Sequence, residues 1–146
     1  MSESVLYVDD DADSRELLET MFRLSGRTII SVGGATEALR SAGHERFSLF
    51  ILDNWLRDGS GIELCRQLRA LYPETPIIFL SGAAYPTDRE QAIEAGACDY
   101  LIKPTGVLDL EATLARLISV PPRPVRPSPT VGSAEGLQPS TEVVAA

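Results

Sequence analysis

Basic side chains are scarce in this chain and unevenly chosen. Twelve of the thirteen are arginine, and Lys103 is the lone lysine. They form no cluster, and the formal net charge is −8, so simple electrostatics excludes nucleic-acid and anionic-membrane binding. No apolar run approaches spanning length, and the opening "MSESVLYV" lacks the basic start and long apolar stretch of a signal peptide. A cytoplasmic, soluble protein without membrane contact is expected. The two cysteines, Cys65 and Cys98, are too far apart in sequence for a metal pair or a disulfide framework. Both stand among apolar neighbours and are expected to be buried, reduced thiols. The single histidine, His44 in "SAGHERF", sits in a polar turn and reads as a surface residue, which leaves zinc without ligands. In a chain so biased toward arginine, a lone lysine marks a position where a planar guanidinium would not serve.

What the chain does have is alternation. Its 146 residues, 44% hydrophobic, suffice for one compact domain. Five short apolar runs read as strands: Val5–Val8, Thr28–Val32, Ser48–Leu52, Ile77–Leu80 and Tyr100–Ile102. Between them come helical patterns. Leu17, Leu18, Met21 and Phe22 share one face of a first helix, and Ala38 and Leu39 anchor a short second. Leu64, Cys65, Leu68 and Leu71 stripe a third, residues 87–95 form a fourth entered through Pro86, and Val107, Leu110, Leu114 and Leu117 stripe a fifth. Strands apolar along their whole length suit a parallel sheet covered on both faces. The fold expected is therefore α/β, a doubly wound five-stranded parallel sheet in a three-layer sandwich, of flavodoxin-like order 2-1-3-4-5. Residues 1–119 would form this domain. Residues 120–146 hold six of the ten prolines with almost no periodicity, and are expected to be a disordered tail or linker.

The stretch "VLYVDDDADSR" sets the chemical problem, because its strand runs into Asp9, Asp10 and Asp11, with Asp13 close behind. Two like charges at 4 Å repel by about 4 kcal/mol at an effective dielectric near 20. Helix capping accounts for one or two of the four. The others need a cation or another partner. The third strand ends in Asp53, the fourth in Ser81 and the fifth in Lys103, whereas the second ends only in glycines. In the order 2-1-3-4-5 the four chemically equipped ends are contiguous, and ligands bind outside the carboxyl ends of such strands. Any one of these residues reads singly as a turn former; four complementary groups read as a site. Three acids with sparse side-chain ligation suit Mg²⁺. With an ammonium and a hydroxyl beside them, they describe a phosphoryl-transfer site in which Asp53 is the nucleophile, forming an aspartyl phosphate. Lys103 and Ser81 would meet the phosphoryl oxygens.

Through "VLYVDDD", "LFILDNWLRDGSG", "IIFLSG" and "ACDYLIKP", in order and at matching separations, the sequence resembles the receiver domain of two-component response regulators. The resemblance implies that Asp9 and Asp10 are the metal-binding acidic pair, Asp53 the phosphoacceptor and the backbone carbonyl of Trp55 a further metal ligand. It implies that Ser81 is the switch hydroxyl, Lys103 the phosphate-contacting lysine followed by Pro104, and Tyr100 the aromatic that turns inward on activation. A sensor histidine kinase or phosphotransfer protein would supply the phosphoryl group, Mg²⁺ would be required, and an unknown downstream protein would read the changed surface of the fourth helix, fifth strand and fifth helix.

Two positions depart from the family pattern. Arg57 replaces a proline commonly found four residues after the phosphoacceptor, and Trp55 is bulky where a side chain borders the phosphoryl group. Trp55 is expected to hinder attacking water and lengthen the phosphorylated lifetime, while Ala83 is too small to add to that barrier. A haloacid-dehalogenase-type phosphatase is the main alternative; such enzymes place an acid two residues after the nucleophile, where this chain has Trp55. A receiver-like module that works by contact alone, without phosphorylation, is the other. No turnover enzyme is expected, and no Gly-rich phosphate loop follows any strand.

Overall fold

The computed structural model describes residues 4–82, 85–103 and 105–117, with the side chains of 105–108 excepted. Segment 120–146, Ala83, Pro104 and the side chain of Val107 lie outside the described residues. The elements are β1 (Ser4–Val8), α1 (Ala12–Leu24), β2 (Thr28–Val32), α2 (Ala35–His44), β3 (Leu49–Leu52), β4 (Trp55–Leu56), β5 (Gly59–Ser60), α3 (Gly61–Leu71), β6 (Ile77–Ser81), α4 (Pro86–Ala95), β7 (Asp99–Ile102) and α5 (Thr105–Leu117). Five strands pair in parallel in the order β2-β1-β3-β6-β7, which is the expected doubly wound arrangement. The small antiparallel hairpin β4–β5 was not expected.

Alternation along each strand explains the unbroken apolar runs. Val5, Tyr7, Leu49, Ile51, Ile78 and Leu80 face α1 and α5, where Leu18, Phe22, Leu110 and Leu114 cover them. Leu6, Val8, Phe50, Leu52, Ile77 and Phe79 face α2, α3 and α4. Each fully buried Leu or Ile contributes about 1.5–3 kcal/mol relative to exposure, so both faces must be covered. Three expectations are corrected here. Leu17 and Leu71 sit at the margins of their helical stripes and are 50% and 61% exposed. Cys98 is also exposed, because it lies in the turn before β7. Cys65 is buried, and burial pushes its thiol up to about 11.

Local chemistry sets the helix starts. Asp11 caps α1 by accepting the Ser14 amide at 3.1 Å, and Ser60 caps α3 by accepting the Glu63 amide at 3.1 Å. Pro86 opens α4, and Gly96 closes it in the left-handed region at φ 118°. Gly34 has no side chain with which to cap α2. Asp58, at the turn of the β4–β5 hairpin, does so from 22 residues or more away, accepting Ala35 N–H at 2.7 Å and Thr36 N–H at 3.0 Å. These two amides hold the Asp58 carboxyl below the ordinary aspartate range.

Candidate functional site

The strand ladder continues one rung beyond the strand ends. Asp9 N–H donates to Val32 O at 3.1 Å, Asp53 N–H to Val8 O at 2.9 Å and Lys103 N–H to Ser81 O at 2.8 Å. Backbone pairing therefore carries Asp9, Asp53 and Lys103 to one rim. Asp10 follows Asp9 on that rim and is exposed. One carboxylate oxygen each from Asp9, Asp10 and Asp53 lies within 4.8 Å of the others. The sequence expectation that these acids converge holds.

Asp9 is fully buried, and its charge is met on three sides. Oδ2 accepts Lys103 Nζ at 2.6 Å and the Tyr7 hydroxyl at 2.5 Å, while Oδ1 accepts the Asp11 amide at 2.9 Å. Lys103 Nζ also lies 3.1 Å from Ser14 Oγ, and the Arg15 guanidinium donates to the Asp9 carbonyl at 2.7 Å. Asp53 is less well compensated. Burial first, then the negative charge of Asp9, lifts its carboxyl from the usual 3.8 to about 6. Lys103, the Asn54 amide at 2.8 Å and the Ser81 hydroxyl act in the opposite sense.

Gly61 makes the close approach of α3 to this loop feasible. A Cβ there would stand 2.0 Å from the Asp53 carbonyl oxygen and 2.9 Å from the Phe79 ring. Ser81 is fully buried, with its hydroxyl bonded toward both Asp53 and Tyr100. The Tyr100 ring is buried and stacked on Phe79 at 5.7 Å, and Asn54 Nδ2 lies 3.5 Å from its hydroxyl. The ring therefore lies inward in this structure. Trp55 lies at the start of the hairpin and is 66% exposed. At the family's proline position, Arg57 folds back over Gly33, where a Cβ would meet its Nη2 at 2.9 Å and Arg15 Nη1 at 3.3 Å.

Reading the sequence missed Tyr7, Ser14, Arg15 and Asn54 as members of the site. Tyr7 was within reach of that reading, since residues two apart in a strand share a face. Arg15 and Asn54 act through main-chain and loop geometry that no pattern announces.

All the donors at the acidic cluster are carboxylate oxygens, a set that suits a hard divalent cation, and the residual repulsion on Asp53 is what such a cation would relieve.

Comparison with known proteins agrees with this geometry. The family model for the response regulator receiver domain matches residues 5–115. The transcriptional regulatory protein PrrA of Mycobacterium tuberculosis is 38% identical over 117 residues, covering 80% of this chain and 50% of PrrA. The chain thus spans about half the length of the curated relatives it matches. Among solved structures, the chemotaxis protein CheY4 of Vibrio cholerae superposes with a TM-score of 0.76 at 28% identity, covering 81% of this chain and all of CheY4. The receiver domain of sensor histidine kinase PA1611 from Pseudomonas aeruginosa, solved with a magnesium ion coordinated in its active-site cleft, gives 0.74 at 31% identity, with coverage of 82% and 99%.

Proposed function

The chain belongs to the response regulator receiver domain family, and from that premise we propose how its own residues act. Asp53 accepts a phosphoryl group from the phosphohistidine of a sensor histidine kinase or phosphotransfer protein. An Asp53 oxygen forms the new P–O bond as the P–N bond breaks, and the departing imidazole takes up a proton. Asp9, Asp10, Asp53 and the backbone carbonyl of Trp55 would hold magnesium. Bound there, it would supply positive charge against the phosphoryl oxygens and the crowded acids. Lys103 meets one phosphoryl oxygen as a compact ammonium, and Ser81 donates to another. The observation that carries this reading is the meeting of three carboxylates within 4.8 Å, one of them bonded to the only lysine in the chain.

The added charge and acceptor oxygens would draw on Ser81 and so bias the Tyr100 ring, altering the surface of α4, β7 and α5 for a downstream protein. Residues 1–119 act as the receiver unit and 120–146 as a linker, in the cytoplasm. Among the described residues, no helix is long and apolar enough to cross a membrane.

The test is chemical. Incubation with acetyl phosphate and Mg²⁺ is expected to add one phosphoryl group to Asp53, detected by intact mass and peptide mapping, and chelation is expected to prevent it. An unmodified Asp53 under these conditions favours a phosphorylation-independent interaction module.

A further inference from the structure

Tyr7 stands two residues before Asp9 in β1, so strand alternation puts both side chains on the same face. Its ring is fully buried in the core under α1 and α5, among Leu18, Ile51 and Leu110. Phenylalanine would fill that space with no polar atom to satisfy. The hydroxyl instead ends on Asp9 Oδ2 at 2.5 Å, on the same oxygen that accepts Lys103 Nζ at 2.6 Å. Oδ1 accepts the Asp11 amide at 2.9 Å. A carboxylate offers about four acceptor directions, and three are taken here, so the remaining one belongs to Oδ1.

We propose that Tyr7 is a positioning residue for the acidic cluster: its hydroxyl fixes the rotation of the Asp9 carboxylate and keeps Oδ2 satisfied. This inference rests on the magnesium reading of the site. Two consequences follow from it. While Lys103 stays on Oδ2, the acceptor capacity that Asp9 offers a cation is confined to one oxygen in one orientation. Lys103 is also free to turn toward a phosphoryl oxygen without leaving Oδ2 bare in a fully buried position, where an unmet polar atom is costly.

Magnesium demands near-octahedral ligand placement, whereas calcium accepts variable geometry. Losing a group that orients a ligand typically weakens metal affinity 10–100-fold. Tyr7→Phe in the full chain is therefore expected to raise the magnesium Kd about tenfold, with a clearly smaller change for calcium. Both metals are titrated by the fluorescence of Trp55, the only tryptophan, and by calorimetry. Ile51→Val serves as the control, because Ile51 is the β3 partner of Tyr7 in the sheet and lies in the same core. It is expected to lower the unfolding midpoint and leave the magnesium-to-calcium ratio alone. In the wild type, the Tyr7 hydroxyl proton is expected to give a slowly exchanging NMR resonance that persists and shifts at saturating magnesium. That measurement stands even where the Phe variant folds poorly. Equal weakening of both metals, no weakening of either, or loss of the resonance with magnesium overturns the role of Tyr7 while the site reading stands. Failure of the wild type to bind magnesium overturns both.

Discussion

Asp53 is held in electrostatic tension, and its titration makes that measurable. In magnesium-free buffer its folded-state value, about 6, lies above the ordinary 3.8. Folding therefore favours the protonated form. The associated stability is complete below 3.8 and is lost as pH rises through about 6. Asp53→Asn, which mimics the neutral group, is expected to be more stable than wild type at pH 7, with the advantage shrinking to nothing near pH 4. Urea unfolding across that range with chelator present reads it directly. Lys103→Ala has the opposite sign, since it removes the ammonium from a fully buried carboxylate. Loss of one partner from such a pair costs about 3 kcal/mol, seen as a lower urea midpoint at pH 7. Trp55→Ala touches an exposed residue and should move stability by no more than about 0.5 kcal/mol. A faster loss of the phosphoryl group in that variant, followed by mass spectrometry, is the expected sign that the indole shields Asp53 from water.

Among the elements, the β4–β5 hairpin holds most of what could not be read in advance. Two-residue strands are shorter than any periodicity, and the cap that Asp58 provides to α2 joins positions 22 and 23 residues apart. Sequence rules for caps look only a few residues ahead, so Gly34 before Ala35 gave no sign of it. The sheet strands were legible because both of their faces are covered, which leaves long apolar runs. The helix margins were less so. Leu17 and Leu71 fit the helical period, but whether a neighbour reaches the edge of a stripe is decided by packing. Asp58→Ala is expected to cost about 1 kcal/mol, the usual worth of a helix cap, and to raise amide exchange at both Ala35 and the hairpin. The rise at the hairpin distinguishes a strap between elements from a cap on α2 alone.

Across the whole molecule, strand order converts scattered residues into a site. Asp9, Asp53, Ser81 and Lys103 are legible as a group only once strands β1, β3, β6 and β7 are known to be contiguous. Strict βα alternation points to a doubly wound sheet, and the flavodoxin-like order is the leading choice among such sheets. The buried tether from Tyr7 and the inward Tyr100 ring are products of side-chain packing, which alternation does not specify. Cation binding to the folded form only should be felt by the whole fold. At a concentration one hundred times Kd, magnesium is expected to stabilise the wild type by about 2.7 kcal/mol. Asp10→Asn should lose much of that gain, as judged by urea midpoints with and without the ion.

The hairpin after Asp53 is fastened at its tip to the start of α2 and, through the Ser60 hydroxyl, to the start of α3. It therefore acts as a short crossbeam between two neighbouring helices, with the loop that follows Asp53 as its near support. Sliding of α2 against α3, whatever its origin, must bend this beam. The surroundings of Asp53 are in this way mechanically geared to the far side of the sheet from α1 and α5.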